Sequence, residues 1–180
     1  MKAPRLLAIC SFVLLAVSAT AQMPDLTPPK QISDLAWSVG EWSGSVHWTM
    51  EGTPEMDSNV GLKISIEGQF LKEESTQDMM GMAMTETAYM GWNDKESRYD
   101  CWSFTNFAPT PRLEHGKVDG KNWTMESEPW VGMGQATTGR STITMVSDSE
   151  MKMTLEFKTG DTWTKVAEGT LKKKTASATK

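Results

Sequence analysis

The stretch EMKMTLEFK, residues 150–158, alternates without a break between Met151, Met153, Leu155 and Phe157 on one side and Lys152, Thr154, Glu156 and Lys158 on the other. A period of two gives a β-strand one dry face and one wet face, and it is incompatible with a helix at the same place. GLKISIE repeats the pattern with Leu62, Ile64 and Ile66, and NWTMES with Trp123 and Met125. Turn-forming pairs and triplets fall between these runs at short intervals: Glu67-Gly68, Asn93-Asp94, Asp119-Gly120, Ser147-Asp148-Ser149 and Thr159-Gly160-Asp161. Together they predict about ten strands, at 41–51, 57–67, 69–78, 83–92, 97–105, 112–118, 121–128, 138–147, 150–158 and 162–172. One short helix is expected near the start, in QISDLAWSVGEW, where Ile32, Leu35 and Ala36 share a face and Gly40 ends the run. Many short strands without helical crossovers imply a sandwich or a barrel. A meander of sequential hairpins closes most simply as an antiparallel up-and-down β-barrel, which also removes exposed edges.

Residues 1–21 have the layout of a secretory signal peptide: Lys2 and Arg5, an apolar run from Leu6 to Val17, then Ala19-Thr20-Ala21. The apolar run is shorter than the roughly 20 residues that span a bilayer. Cys10 lies too early, after the bulky Ile9, to serve as a lipidation site, so neither a membrane span nor a lipid anchor is expected. Residues 22–30 read as a leader, 31–173 as a single barrel domain and 174–180 as a disordered tail. The chain is therefore expected to be exported, to the periplasm or beyond. Without residues 1–21, the 18 Lys and Arg fall by two while the 23 Asp and Glu remain, leaving a net charge of −7. Such an acidic chain is a poor match for nucleic acid. Cys101 is the one cysteine left after processing, so no internal disulfide can form and the fold stands on its core.

LAWSVGEWSGSVHW, with its core Gly40-Glu41-Trp42-Ser43-Gly44, resembles the opening of the bacterial domain-of-unknown-function family 1579. EGQFLKEE is similar to that family's next Gly-x-Phe strand, YMGWNDKESRYDCWSF to its aromatic hairpin, and VDGKNWTM and the closing basic strand follow in the same order. The resemblance runs from about Ile32 to Lys173 and implies a lipocalin-like (calycin) barrel. A more distant similarity is to the nitrobindin group, which holds haem through a histidine late in the barrel. No histidine follows His115 here, so no position matches that axial ligand and no haem is expected. On physical grounds Trp42 can plug one barrel end, while Gly40 and Gly44 let the chain turn and approach its neighbours closely.

The sequence carries no Gly-x-Ser-x-Gly elbow, no His-Glu-x-x-His pair and no phosphate loop. Two isolated histidines, His47 and His115, and one cysteine do not make a zinc set. A non-enzymatic protein is expected, with no cofactor. Eight tryptophans point instead to a barrel interior lined by rings. About eight strands already leave room for one small ligand, so a ten-stranded barrel offers a binding cavity for a small apolar or amphiphilic molecule. The candidate binding residues are Trp92, Tyr99, Trp102, Trp123 and His115, with Arg98 and Arg140 as anchors for an acidic group. Because a strand alternates, Tyr99 and Cys101 face one way, and Trp102 and Phe104 the other. Two rival readings stay open. In one, the barrel is filled by its own side chains and serves a structural or interaction role. In the other, the cluster Met79, Met80, Met82 and Met84 holds Cu(I), since thioethers are soft ligands. Continuous strand geometry would set Met80, Met82 and Met84 on one face with Met90, as an ordinary apolar stripe with Met79 opposite. A turn at Gly81 would instead let Met79, Met80 and Met82 converge.

Overall fold

The computed structural model describes residues 25–79, 81–132, 134 and 136–175. The segment read as a signal peptide, the position Met80 and most of the tail lie outside them. The strands are β1 (Gly40–Trp48), β2 (Met56–Glu67), β3 (Phe70–Met79), β4 (Met82–Asn93), β5 (Arg98–Thr105), β6 (Arg112–Asp119), β7 (Asn122–Ser127), β8 (Trp130–Val131), β9 (Ala136–Thr137), β10 (Gly139–Ser147), β11 (Glu150–Thr159) and β12 (Thr162–Lys173). Ten of them close into an antiparallel barrel in which each strand pairs with its neighbour in sequence and β12 pairs back onto β1. The short β8–β9 hairpin stands apart as its own two-stranded sheet, inserted between β7 and β10. The up-and-down meander expected from the alternation is therefore the fold, and β8–β9 is the element that the alternation did not announce.

Closure needs places where neighbouring backbones come close, and glycine supplies them. A Cβ on Gly44 would sit 2.0 Å from the carbonyl oxygen of Thr170, and one on Gly116 would sit 2.1 Å from that of Thr124. Neither position can carry a side chain without moving the adjacent strand. On β12 the extra residue Val166 makes a bulge between the pairs Leu155↔Ala167 and Glu156↔Lys165, and its carbonyl accepts from Thr49 N at 2.8 Å.

One end of the barrel is plugged. The helix α1 (Lys30–Ser33) and a 3-10 turn (Ala36–Ser38) lie across it and bury Ile32 and Leu35 against Trp42, Ile64, Leu71 and Met90. The single helix expected over this stretch is thus two short turns. Trp42 Nε1 donates to the Ser38 carbonyl at 2.8 Å, which uses an acceptor that a continuing helix would need. Ala36, expected on the buried face with Ile32 and Leu35, is exposed at this break. Tyr99 ties the plug down by donating its hydroxyl to the Gln31 carbonyl at 3.0 Å. The other end of the barrel is not plugged in this way. It is ringed by the ends of β1, β3 and β7 and by Phe107 and Trp130 from the connecting segments.

Candidate functional site

Between plug and mouth lies a cavity of about 720 Å³, within the range of roughly 300–1,000 Å³ typical of small-molecule sites. Its two walls differ in chemistry. Val60 and Leu62 on β2, Trp123 and Met125 on β7, Ile143 on β10, Met153 and Leu155 on β11 and Leu171 on β12 make an apolar wall. The wall formed by β3 to β6 instead presents Glu73, Glu86, Ser103, Arg112 and Glu114 to the interior.

Strand register brings these groups together. Ser75 pairs with Glu86 across β3 and β4, Ser103 pairs with Arg112 across β5 and β6, and Cys101 pairs with Glu114 one step deeper. Arg112 Nη2 donates to Glu86 Oε1 at 3.1 Å and to Ser103 Oγ at 3.4 Å. Its Nε lies 3.3 Å from Glu114 Oε2, close enough for an ion pair but not aligned for a hydrogen bond. Ser103 Oγ also donates to Glu114 Oε2 at 3.5 Å. The Arg112 guanidinium lies 5.4 Å from the centre of the Trp130 ring on β8, and Phe107 meets that ring edge-on at 6.0 Å. The β8–β9 insertion thus covers the charged cluster at the mouth.

One guanidinium faces three carboxyls, and the imbalance shows in their protonation. Burial pushes the Glu73 carboxyl up to about 8, with Glu86 and Glu114 adding to the rise and Arg112 opposing it. Glu73 Oε1 has no hydrogen-bond partner. Burial also raises Glu86, against the opposing pull of Arg112. Glu73 and Glu86 keep some accessible surface, but it faces the cavity rather than bulk water. The Cys101 thiol is raised by burial first and then by Glu114 and Glu73, so it stays protonated and unreactive.

Of the residues expected from sequence to bind a ligand, Trp123 lines this cavity. Trp92 and Tyr99 point inward but at the plugged end, where their rings meet edge-on at 5.1 Å. Trp102 is on the outer face and 38% exposed. His115 is also outside, because Glu114 and Gly116 beside it take the inner face. It bonds Asp100 Oδ1 through Nδ1 at 2.9 Å and Glu128 through Nε2 at 3.1 Å. Arg98 Nε donates to the same Asp100 at 2.8 Å. Burial works against ionisation of Asp100, but hydrogen bonds from Asn93, His115 and Arg98 together hold its carboxyl below the usual range. Arg140 is outside as well, bonded to Glu156 at 2.7 Å and stacked 4.3 Å from the centre of the Trp163 ring. Neither arginine reaches the interior, so the anchoring role expected for them has no access to the cavity. The interior arginine is Arg112, which sequence reasoning missed together with Glu73, Glu86 and Glu114. A signal was present. In MTETAYM, Glu86 shares the parity of Met84, Ala88 and Met90, so a charge stands on the dry face of a strand.

The methionine cluster sits at the mouth. Met79 and Met82 are directly paired across the β3–β4 hairpin, and Met84 is two residues further along the same face. Met79 therefore shares a face with Met82 and Met84 and is not opposite them. The chain reverses at Gly81, whose φ is +77°, so alternation does not carry through the turn. Met79 is buried and Met82 is 55% exposed. Among the described residues, no three His, Cys, Asp or Glu side chains are placed to hold a metal ion.

No curated protein matches the sequence. Among solved structures, the crystal structure of Rv2717c from M. tuberculosis is similar, with a TM-score of 0.63 at 11% identity over 82% of this chain and 99% of that one. At that identity the likeness speaks for the barrel and for nothing finer. The family model described as protein of unknown function (DUF1579) matches residues 27–173. With that match spanning the plug and all ten barrel strands, the chain belongs to the DUF1579 family.

Proposed function

We propose that this protein is an exported, non-catalytic binder of one small amphiphilic molecule, held in the barrel interior. The observation that carries the reading is the two-sided cavity: an apolar wall faces a hydrogen-bonded cluster of Arg112 with carboxyls, around about 720 Å³ of space. A barrel that served as scaffold alone would gain stability by filling that space with apolar side chains. Charges taken out of water cost several kcal/mol each unless fully compensated, and replacing buried ion clusters with hydrophobic groups is often stabilising. Keeping Glu73 on the wall of that cavity, with one oxygen unbonded by the protein, makes sense where a ligand partners the carboxyl. The carboxyls surround a guanidinium rather than an activated nucleophile, which favours binding over catalysis. The outer face of β1 carries Glu41, Ser43, Ser45 and His47 while Trp42 and Val46 point in. That arrangement is the reverse of the apolar band that a membrane barrel shows to lipid. Export rests on the leader read at residues 1–21.

Native mass spectrometry of protein purified without detergent tests the reading, together with the variant Ser141→Phe, which sets a ring into the cavity from β10. The expected result is an adduct of small-molecule mass on the wild type, or uptake of an added alkyl amphiphile at one per chain, and neither on the variant. A wild type that takes up no such molecule would leave the proposal without support.

A further inference from the structure

The charge of the cluster restricts which amphiphile fits, and this inference rests on the binding role proposed above. We infer that the cavity selects a ligand whose polar head is a cationic amine, received by Glu73, over one with a carboxylate or other anionic head. Arg112 is the cation an acidic head would seek, and it is already engaged by Glu86 at 3.1 Å and Glu114 at 3.3 Å. An anion entering there would meet three carboxyls around a guanidinium that two of them already engage. Glu73 is the opposite case. It lines the cavity, and its buried Oε1 has no hydrogen-bond partner. On β2, its register partner is Ile64, which brings no charge. The charged and titratable groups that act on Glu73 are Glu86 from β4, and Arg112 and Glu114 from β6, with the protonated Cys101 on β5 between them. Three of the four are carboxyls or a neutral thiol, so a second cation is the group this cluster lacks. A hard metal ion does not answer the need, because among the described residues no three His, Cys, Asp or Glu side chains are placed to hold one. An organic ammonium needs just one carboxylate and an apolar lining for its chain, and the facing wall of Trp123, Met125, Met153 and Leu155 supplies the lining.

In the empty protein Glu73 holds its proton at neutral pH. Binding an ammonium head moves that proton to solvent and leaves a carboxylate–ammonium pair, so one proton is released per ligand bound. Affinity for the amine therefore rises with pH and levels off above about pH 8, where the Glu73 carboxyl is ionised before the ligand arrives.

Decylamine, decanol and decanoate differ in the head and share the chain. Titration calorimetry at pH 7 in two buffers of different ionisation enthalpy measures both affinity and proton release for each. The expected result is decylamine bound at least about tenfold more tightly than decanoate, with close to one proton released. Glu73→Gln, checked for folding by its circular dichroism, is expected to lose the preference for decylamine over decanol together with the proton release. Equal binding of the three heads, or tighter binding of decanoate, overturns the inference and leaves the binding role standing. Binding of none of the three by the folded wild type overturns the binding role itself.

Discussion

Glu73→Gln exchanges the cavity carboxyl that lacks a hydrogen-bond partner for a neutral amide of the same shape. The carboxyl titrates at about 8 in the folded protein, against an ordinary value of 4.5. Between these values the folded state keeps a proton that the unfolded chain has lost. Stability therefore falls as pH rises from 4.5, and the loss is complete above about 8. At pH 7 the gap from 4.5 is roughly 2.5 units at 1.36 kcal/mol each, or about 3 kcal/mol. This is an upper value, since the side chain keeps some accessible surface on the cavity side. At pH 4 the carboxyl is protonated in both states, and the substitution changes little. Urea denaturation of wild type and variant from pH 4 to pH 9 measures the difference. It is expected to open from near zero to a few kcal/mol in favour of the variant. A difference that is flat with pH, or one favouring the wild type at high pH, would refute the buried and unpaired state of Glu73.

Arg112→Met leaves Glu86 and Glu114 without their cation, and a loss of about 3–5 kcal/mol is expected, measurable by the same denaturation at neutral pH. Gly116→Ala puts a methyl 2.1 Å from the Thr124 carbonyl oxygen; a loss of about 1–3 kcal/mol is expected, and an unchanged melting temperature would contradict the close strand approach. Amino-terminal sequencing of protein recovered from the periplasm or medium is expected to begin at Gln22, as cleavage after Ala21 requires.

Sequence periodicity reached the barrel because its strands are amphipathic on their own: Met151, Met153 and Leu155, or Leu62, Ile64 and Ile66, name the inner face without help from tertiary structure. Trp123 was placed in the cavity for the same reason. The charged cluster was less legible. On β6, Arg112 and Glu114 take the inner face with Gly116 and Val118, while Leu113 and His115 face out. Two charges on one face and a leucine on the other reverse the usual expectation, so the strand gives no clear inside until its register with β5 and β7 is known. Arg140 was readable in principle, since its neighbours Ser141 and Ile143 share the parity of the buried Met145, which turns the arginine outward. For Met79 the two sequence readings diverge at Gly81: unbroken alternation sets it opposite Met82, whereas the chain reverses there and pairing across the hairpin sets the two on one face.

The location of a bound molecule is the most direct test of the binding role. An alkylamine carrying a photoactivatable diazirine at the end of its chain, irradiated with the full-length mature protein, marks whatever residues the chain touches. Peptide mapping is expected to find saturable labelling of the apolar wall, at Trp123, Met125, Met153 or Leu155, and its loss in Ser141→Phe. Labelling confined to the exposed outer rings Phe70, Trp102 and Phe104, and undiminished in that variant, would contradict a ligand held inside the barrel.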